Sequence, residues 1–542
     1  MRNKLKSIIA GTLAATLCAG LLVGCGSKAS TSSSSAATTS EVTGKADVTF
    51  KSDKALEFSM LFNDSPTYPY QQDWLLFQQI KKIANVNLKL TVVPMSDYIQ
   101  KRSLLISTGD APEIMPKTYP GQEVQFIASG AILPISDYVN KMPNYMKKIK
   151  DWNMESDLKT LQQKDGKYYV LPGLHQTALQ DYSIIVRTDI FEKNNIAIPT
   201  TYDELKQALA KLKTAYPNII PWSDKVKFES ALNVAAPTFG TTWGWNTGNG
   251  MMYNKAKDQF TFAPVTDEYK SMLTYFNGLV KDKLLDPESF TQSDDQAMQK
   301  FVNGKSFVIS GNSQDVILYR NAMNGTLGAD KFKIIKITDP AGPKGSVVSG
   351  TRLENGIMFS AKAAKDPNFD KMLQFVDWLW YSDEGQTLTK WGVKDTTYKV
   401  VDGKKVLADD INFQGLNPKG TKDLRKQFGF SSGVFSYGGN DDLVQSMMNS
   451  EDVAFQKSIK STKTLLPPDP PVLFSDDERD QSTLISKPLM DYVKQMTLKF
   501  IIGNSNLDSD WSSFVSTSKT KGSDKLIDLT NKVYKSTKSS SK

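Results

Sequence analysis

The chain has 542 residues, with 66 Lys and Arg against 58 Asp and Glu, for a net charge of +8. Most of that excess sits at the ends: Arg2, Lys4 and Lys6 open the chain, and seven Lys oppose only Asp524 and Asp528 in residues 519–542. The body is therefore close to neutral and lacks the basic stripe of a nucleic-acid binder, while a single histidine, His175, excludes Ser-His-Asp, Cys-His and multi-histidine zinc chemistry.

In chain order, the basic start leads into an apolar run from Ile8 to Gly24, broken by Gly11, Thr12, Thr16 and Gly20. Such a run is marginal for a ~30 Å hydrocarbon core and fits a cleaved export signal, residues 1–24, better than a membrane span. Leu22-Val23-Gly24-Cys25 resembles the lipobox of bacterial lipoproteins. That resemblance implies cleavage before Cys25 and its lipidation, and at about 0.8 kcal/mol per buried CH₂ several acyl chains hold a protein stably on a membrane. Residues 25–45 are Ser/Ala/Thr-rich without apolar period, a flexible tether with a reach of roughly 25 Å. The other cysteine, Cys18, lies in the signal, so the body has no disulfide, and a chain of this size buries enough core without one.

The body alternates strand and helix signals, which predicts an α/β architecture, and its length predicts two lobes. "LEFSMLF" (56–62) reads as a strand, 73–86 as an amphipathic helix, "NLKLTVVP" (87–94) as a strand, 97–106 as a helix and "EIMP" as the start of a short strand. This is a βαβ unit. "TTYDELKQALAKLKTAYP" opens with a capping signal at Thr200 or Thr201 and stops before Pro217. "DPNFDKMLQFVDWLWYSDEGQTLTKWG" reads as two helices broken around Ser382. The basic end, 519–542, reads as a solvated helix end and tail.

No motif demands catalysis. "VNGKS" (302–306) ends like a phosphate loop, but Gln299 stands where that loop needs glycine. "NSNLDSD" (504–510) lacks the sixth-place glycine and twelfth-place Glu of a calcium loop, and reads as a turn before a helix from Trp511. Acidic pairs suited to glycoside hydrolysis cannot be picked from 58 carboxylates. Aromatic residues in polar loops stand out instead. Trp243 and Trp245 lie in "FGTTWGWNTGNG" (239–250), and Tyr68 and Tyr70 follow the first strand in a Pro-containing loop. Indole and phenol faces pack on the C–H faces of sugars while nearby amides satisfy hydroxyls; the same rings also serve as half-buried packing residues, and both roles fit here. Trp378 and Trp380 sit on an apolar helix and read as core, and Trp391, beside Gly392, fits either role.

"LLISTGDAPEI" (104–114), "SGAILPISDYV" (129–139), "DGKYYVLPG" (165–173), "VRTDIFEKNNIAIPTTYDEL" (186–205), "GLVKDKLLDPESF" with "FVNGKSFVI", and "FVDWLWYSDEGQTLTKWGV" occur in one order. Together they resemble family 1 extracellular solute-binding proteins, and within them the long LipO-like lipoproteins of Gram-positive bacteria. The resemblance spans about residues 55–535 and implies a two-lobed periplasmic-binding-protein-like α/β fold with the ligand in a cleft between lobes joined by several hinge crossings. It assigns 46–175 with 356–400 to an N-lobe and 176–355 with 401–518 to a C-lobe. The crossings fall near 171–182 and 350–360, which makes His175, Tyr182, Arg352 and Glu354 ligand-binding candidates beside Tyr68, Tyr70, Trp243, Trp245 and Trp391. Asp110 and Glu113, flanking Pro112 at a strand end, are placed under the cleft. Many long relatives carry a calcium loop after the Asp-Glu-Leu helix; here "AYPNIIPWSD" (215–224) has Ile219 and Ile220 in place of oxygen ligands, so no metal and no cofactor is expected.

The functional expectation is a substrate-binding lipoprotein of an ABC importer, not an enzyme. It would work as a monomer on the outer face of the cell membrane, holding an oligosaccharide for a permease served by a separate ATPase. A binder or sensor of a non-sugar solute, a polysaccharide hydrolase or lyase, and a structural lipoprotein are the rival classes.

Overall fold

The structure of the protein, a computed structural model, describes residues 47–540. The expected signal, Cys25 and the tether lie outside the described residues. In chain order the strands up to residue 359 are β1 (Leu56–Asp64), β2 (Val86–Pro94), β3 (Ile114–Thr118), β4 (Leu171–Leu174), β5 (Ser183–Arg187), β6 (Met251–Asn254), β7 (Gln259–Phe262), β8 (Val308–Gly311), β9 (Ile334–Lys336), β10 (Val347–Ser349) and β11 (Leu353–Phe359).

The first lobe is built on a five-stranded sheet ordered β2-β1-β3-β11-β4. β1 runs parallel to β2 and β3, and the late strand β11 inserts antiparallel between β3 and β4. Its central strands are covered on both faces. Phe58, Met60 and Phe62 of β1 join one core with Ile114, Ile357 and Phe359, while Leu61, Met115 and Met358 point into a second one. Two buried faces explain why "FSMLF" and "GIMF" are nearly continuous apolar runs. The helix Leu75–Ala84 buries Leu76, Ile80 and Ala84, one stripe at four-residue spacing, and ends at Asn85 in the left-handed region (φ 58°).

The second lobe has a small antiparallel sheet, β8-β5-β9, a β6–β7 hairpin, and a helical core. The predicted helix runs Tyr202–Ala215, and Thr201 and Glu204 close a capping box. The paired helices meet at Ser382, which ends Phe369–Tyr381 and caps Asp383–Trp391 by accepting from Gly385 N–H.

The cores show how the chain is shared. One lobe's main core draws on residues 50–174 and 353–447, the other's on 184–337 and 489–526. Residues 401–447, expected with the second lobe, therefore pack on the first: Ile411, Phe430, Val434 and Phe435 are fully or nearly fully buried there. The basic end is also more than a solvated tail, because Leu526, Val533 and Tyr534 of the helix Ser523–Ser540 are buried. Its Lys residues lie on the other face, the amphipathic solution for a terminal helix.

The chain crosses between cores three times. Beyond the two expected crossings, the helix Ser450–Thr462 packs Phe455 and Ile459 on Val348, and the strand Thr464–Leu466 pairs parallel with β10. Side chains tie the crossings: Gln456 Nε2 donates to the Gln180 carbonyl at 2.6 Å, and Thr177 Oγ1 to Asp441 Oδ1 at 2.8 Å.

Long-range capping holds the first lobe. The buried Asp377 carboxylate accepts from the N–H groups of Asn144 (2.9 Å) and Tyr145 (2.8 Å) in the first turn of the helix Pro143–Asp151. Asp377→Ala should orphan both donors in a dry site and lower stability by about 2–3 kcal/mol. The check is a shift of the urea midpoint at constant slope; an unchanged midpoint would show the cap is idle.

Candidate functional site

A cavity of about 440 Å³ opens between the lobes, within the range of small-molecule sites. Tyr68, His175, Glu354, Lys390 and Arg425 line it on the first-lobe side, and Asp181, Ser313 and Gln314 on the other. Its floor is the crossing region. β4 delivers His175 and β11 delivers Glu354, and their antiparallel pairing places His175 Nε2 at 2.8 Å from Glu354 Oε2. The same oxygen accepts from Gly438 N–H at 3.0 Å. Burial alone would raise the carboxyl of Glu354, but His175's hydrogen bond and charge, with the Gly438 N–H, outweigh it and hold the group at about 2. Glu354 is therefore ionised at any physiological pH. Lys390, buried beneath, donates to the Ser436 carbonyl at 2.9 Å, and burial pulls it down to about 8 against the opposing pull of Glu354.

The Tyr68 loop leaves the carboxyl end of β1, where ligands gather in parallel sheets. Tyr68 and Tyr70 part company there. Tyr68 faces the cavity, whereas Tyr70 packs among Phe62, Trp74 and Phe77 with centroids 5.4–5.9 Å away. On the second lobe Tyr182 meets Trp245 edge to face at 4.5 Å, beside the cavity-lining Asp181. Trp245 is 42% exposed, so part of its indole is open to solvent beside Tyr182.

Several expected site residues are elsewhere. Trp243 is 6% exposed and packs on Tyr269 in the second core. Trp391 is buried in the first core with Nε1 donating to Ser446 Oγ at 3.1 Å. Arg352 clamps a hinge: it pairs with Asp157 at 2.5 Å and donates to the carbonyls of Trp152 and Asn153. Glu113 accepts from Ser59 N–H and Oγ at 2.8 Å, and Asp110 is exposed; both precede β3, at the amino end of the strand and away from its cleft end. The sequence reading missed the cavity-lining Lys390, Phe413 and Arg425, and Lys117 beside the lining Gly433 with Tyr119 next to it. The last two were findable, since Lys117 lies in the last residues of the parallel strand β3 and Tyr119 directly follows it, at its carboxyl end. Arg425, some 360 residues from Tyr68, left no local signal.

Behind the cleft a second pocket, about 340 Å³, lies where the three crossings meet, walled by Leu179, Val348, Val453, Ile459 and Leu465. The segment 215–224 is committed internally. Trp222 is fully buried and donates to Asp224 Oδ2 at 2.9 Å, and Asp224 Oδ1 accepts from Ser310 N–H and Oγ and from Lys225 N–H. Among the described residues no cluster of three or more His, Cys, Asp or Glu is placed to hold a metal.

Comparison with known proteins agrees with this geometry. The chain is 24% identical over 340 residues to lipoprotein LipO of Bacillus subtilis (strain 168), covering 60% of this chain and 64%, just under two thirds, of LipO. It is 22% identical over 501 residues to the fructooligosaccharide ABC transporter substrate-binding protein FusA of Streptococcus pneumoniae serotype 4, covering 86% and 88%. The fold superposes on the alginate-binding protein AlgQ2, solved without calcium ion, with a TM-score of 0.69 at 16% identity, over 90% of this chain and all of that one. The model of the family described as bacterial extracellular solute-binding protein matches residues 76–413. With that match across more than half its length, on a two-lobed α/β frame with a cleft, the chain belongs to the bacterial extracellular solute-binding proteins, which bind solutes and are not enzymes.

Proposed function

We propose that this protein captures an oligosaccharide in the interlobe cleft and hands it to the permease of an ABC importer driven by a separate ATPase, while lipid on Cys25 anchors it as a monomer to the outer face of the membrane. The observation that carries this reading is a cavity walled by both lobes and floored by their crossings, with Tyr68 and the Tyr182–Trp245 pair near polar groups. Contacts to both walls favour a closed state, and a closed state is a shape a permease can select. Rims of aromatic and amide groups suit sugars, and FusA and AlgQ2 are carbohydrate binders on the same frame. No helix among the described residues is long and apolar enough to cross a membrane, so anchoring rests on the lipobox.

Thermal shift of the chain from Ser40 onward, against neutral and acidic plant oligosaccharides, tests the reading. Ligand at 100 times its Kd should stabilise the protein by about 2.7 kcal/mol, with the sugar recovered intact. Small-angle scattering should show a more compact particle with that sugar. No shift with any sugar would sink the oligosaccharide reading, and an unchanged scattering profile would sink the closure.

A further inference from the structure

Two cations on the first-lobe side of the cleft have no hydrogen-bonded anion. The Arg425 guanidinium lies between two rings, 4.9 Å from the Tyr68 centroid and 5.3 Å from Phe413. Its side chain is only 17% exposed, yet among the described residues it donates no hydrogen bond, and its buried Nε has no partner. The nearest carboxylate, Asp423, is 3.9 Å from Nε and already accepts from the N–H groups of Arg425 and Lys426. A planar fork of donors held against two rings and left without hydrogen-bond acceptors is organised for a carboxylate.

Lys117 supplies the second charge. It sits in the left-handed region (φ 55°), a conformation disfavoured for lysine. Two hydrogen bonds impose it: Lys117 N–H donates to Tyr437 Oη at 2.7 Å, and its carbonyl accepts from Arg102 Nη1 at 2.9 Å. Strain held this firmly is a mark of a functional position. Its ammonium faces the Tyr119 ring at 5.9 Å and donates no hydrogen bond among the described residues; burial pulls it down, with Glu354's charge pulling it back. A Cβ placed on the cavity-lining Gly433 would meet Lys117 Nζ at 3.2 Å and Tyr68 Oη at 3.4 Å, so both polar ends converge where Gly433 leaves space.

The other charges of the cavity are engaged. Glu354 holds His175 and Gly438 N–H, Lys390 holds Ser436, and Asp181 and Asp452 face Lys336 at 3.5 and 3.6 Å. The unmatched charge on the first-lobe wall is positive. We infer that Arg425, Lys117 and Tyr68 form a carboxylate subsite, so that the captured oligosaccharide carries a uronic acid at this wall. The inference rests on the saccharide reading above and narrows it to acidic sugars. The guanidinium grips the carboxylate with two parallel N–H donors, Lys117 adds a point charge, and Tyr68 offers its hydroxyl to the ring.

The test is calorimetric binding of trimers of galacturonate, glucuronate and mannuronate, each beside its methyl ester, with a neutral trimer of hexoses. The ester removes the charge and keeps the ring, so the pair isolates the carboxylate. At least one acid should bind about 10- to 100-fold more tightly than its ester. Arg425→Gln should abolish that preference, and Lys117→Met should reduce it, with thermal melts of both variants showing an intact fold. Raising NaCl from 0.05 to 0.5 M should weaken the acid and leave the ester unchanged. Equal binding of acid and ester, or a preference that survives Arg425→Gln, overturns the subsite. A neutral trimer that binds while the acids do not overturns it too and leaves the saccharide reading standing; no binding by any trimer overturns both.

Discussion

Gly356→Ala should yield little folded protein. Gly356 sits in β11 opposite Pro172 of β4 and Thr118 of β3, with the ladder shifting register on both sides of it. The two backbones approach closely at this irregular stretch of the ladder, and only glycine permits the approach. A Cβ at 356 would lie 2.0 Å from the Leu171 carbonyl oxygen and 2.7 Å from Pro172 Cα, both backbone atoms that cannot swing aside. Relief means parting β4 from β11, and with them His175 from Glu354, so folding and the cleft floor fail together. Gly325 is the control: it lies in the helix Ser313–Leu327, and no atom stands within 4 Å of the place an added methyl would take. Gly325→Ala should stabilise by about 0.5–1 kcal/mol through helix propensity. Soluble yield and circular-dichroism melts of the two variants decide it; a Gly356→Ala melt within 2 °C of the parent, roughly the scatter of such a comparison, would refute the close-approach argument.

The second large effect separates two tryptophans two residues apart. Trp243→Ala should cost about 3–5 kcal/mol, because a buried indole against Tyr269 leaves a cavity that the surrounding helices cannot fill. Trp245→Ala should leave the melt nearly unchanged and weaken oligosaccharide binding about 10-fold or more, since its exposed indole stands beside Tyr182, next in sequence to the cavity-lining Asp181. Urea midpoints and sugar titrations on both variants give the crossed pattern. A Trp245→Ala protein that binds sugar normally would move that ring from the ligand to the scaffold.

Much of the frame is legible in the amino acids. The stripe Leu76, Ile80, Ala84, the capping box at Thr201 and Glu204, and the break at Ser382 are local signals, read within a turn or two of the residues that make them. The site is not local. Trp243 and Trp245 share one Gly-rich loop, and only the tertiary packing of Tyr269 and Tyr182 decides which is buried. Arg352 looks like a ligand residue beside Glu354, yet Asp157, 195 positions earlier, claims it. Arg425 reaches the cleft because residues 401–447 return to the first core, a pairing for which the sequence has no short-range mark. Contacts of high sequence separation carry the chemistry, and composition cannot encode them.

The place of β11 in the first sheet has a consequence for how the molecule comes into being. A chain emerging amino end first presents β1 to β4 early, but the strand that joins β3 to β4 arrives only with residues 353–359, and their core is filled only near Met447. Until then the early strands have an open edge and unsatisfied apolar faces. The intervening β5, β8 and β9 can meanwhile pair among themselves, but their core waits longer still, for residues 489–526, so neither lobe is complete until late in synthesis. Such wiring lengthens the mean loop to be closed and slows the final step. A protein wired in this way stays threadable for most of its synthesis and locks late, once its last crossings have arrived.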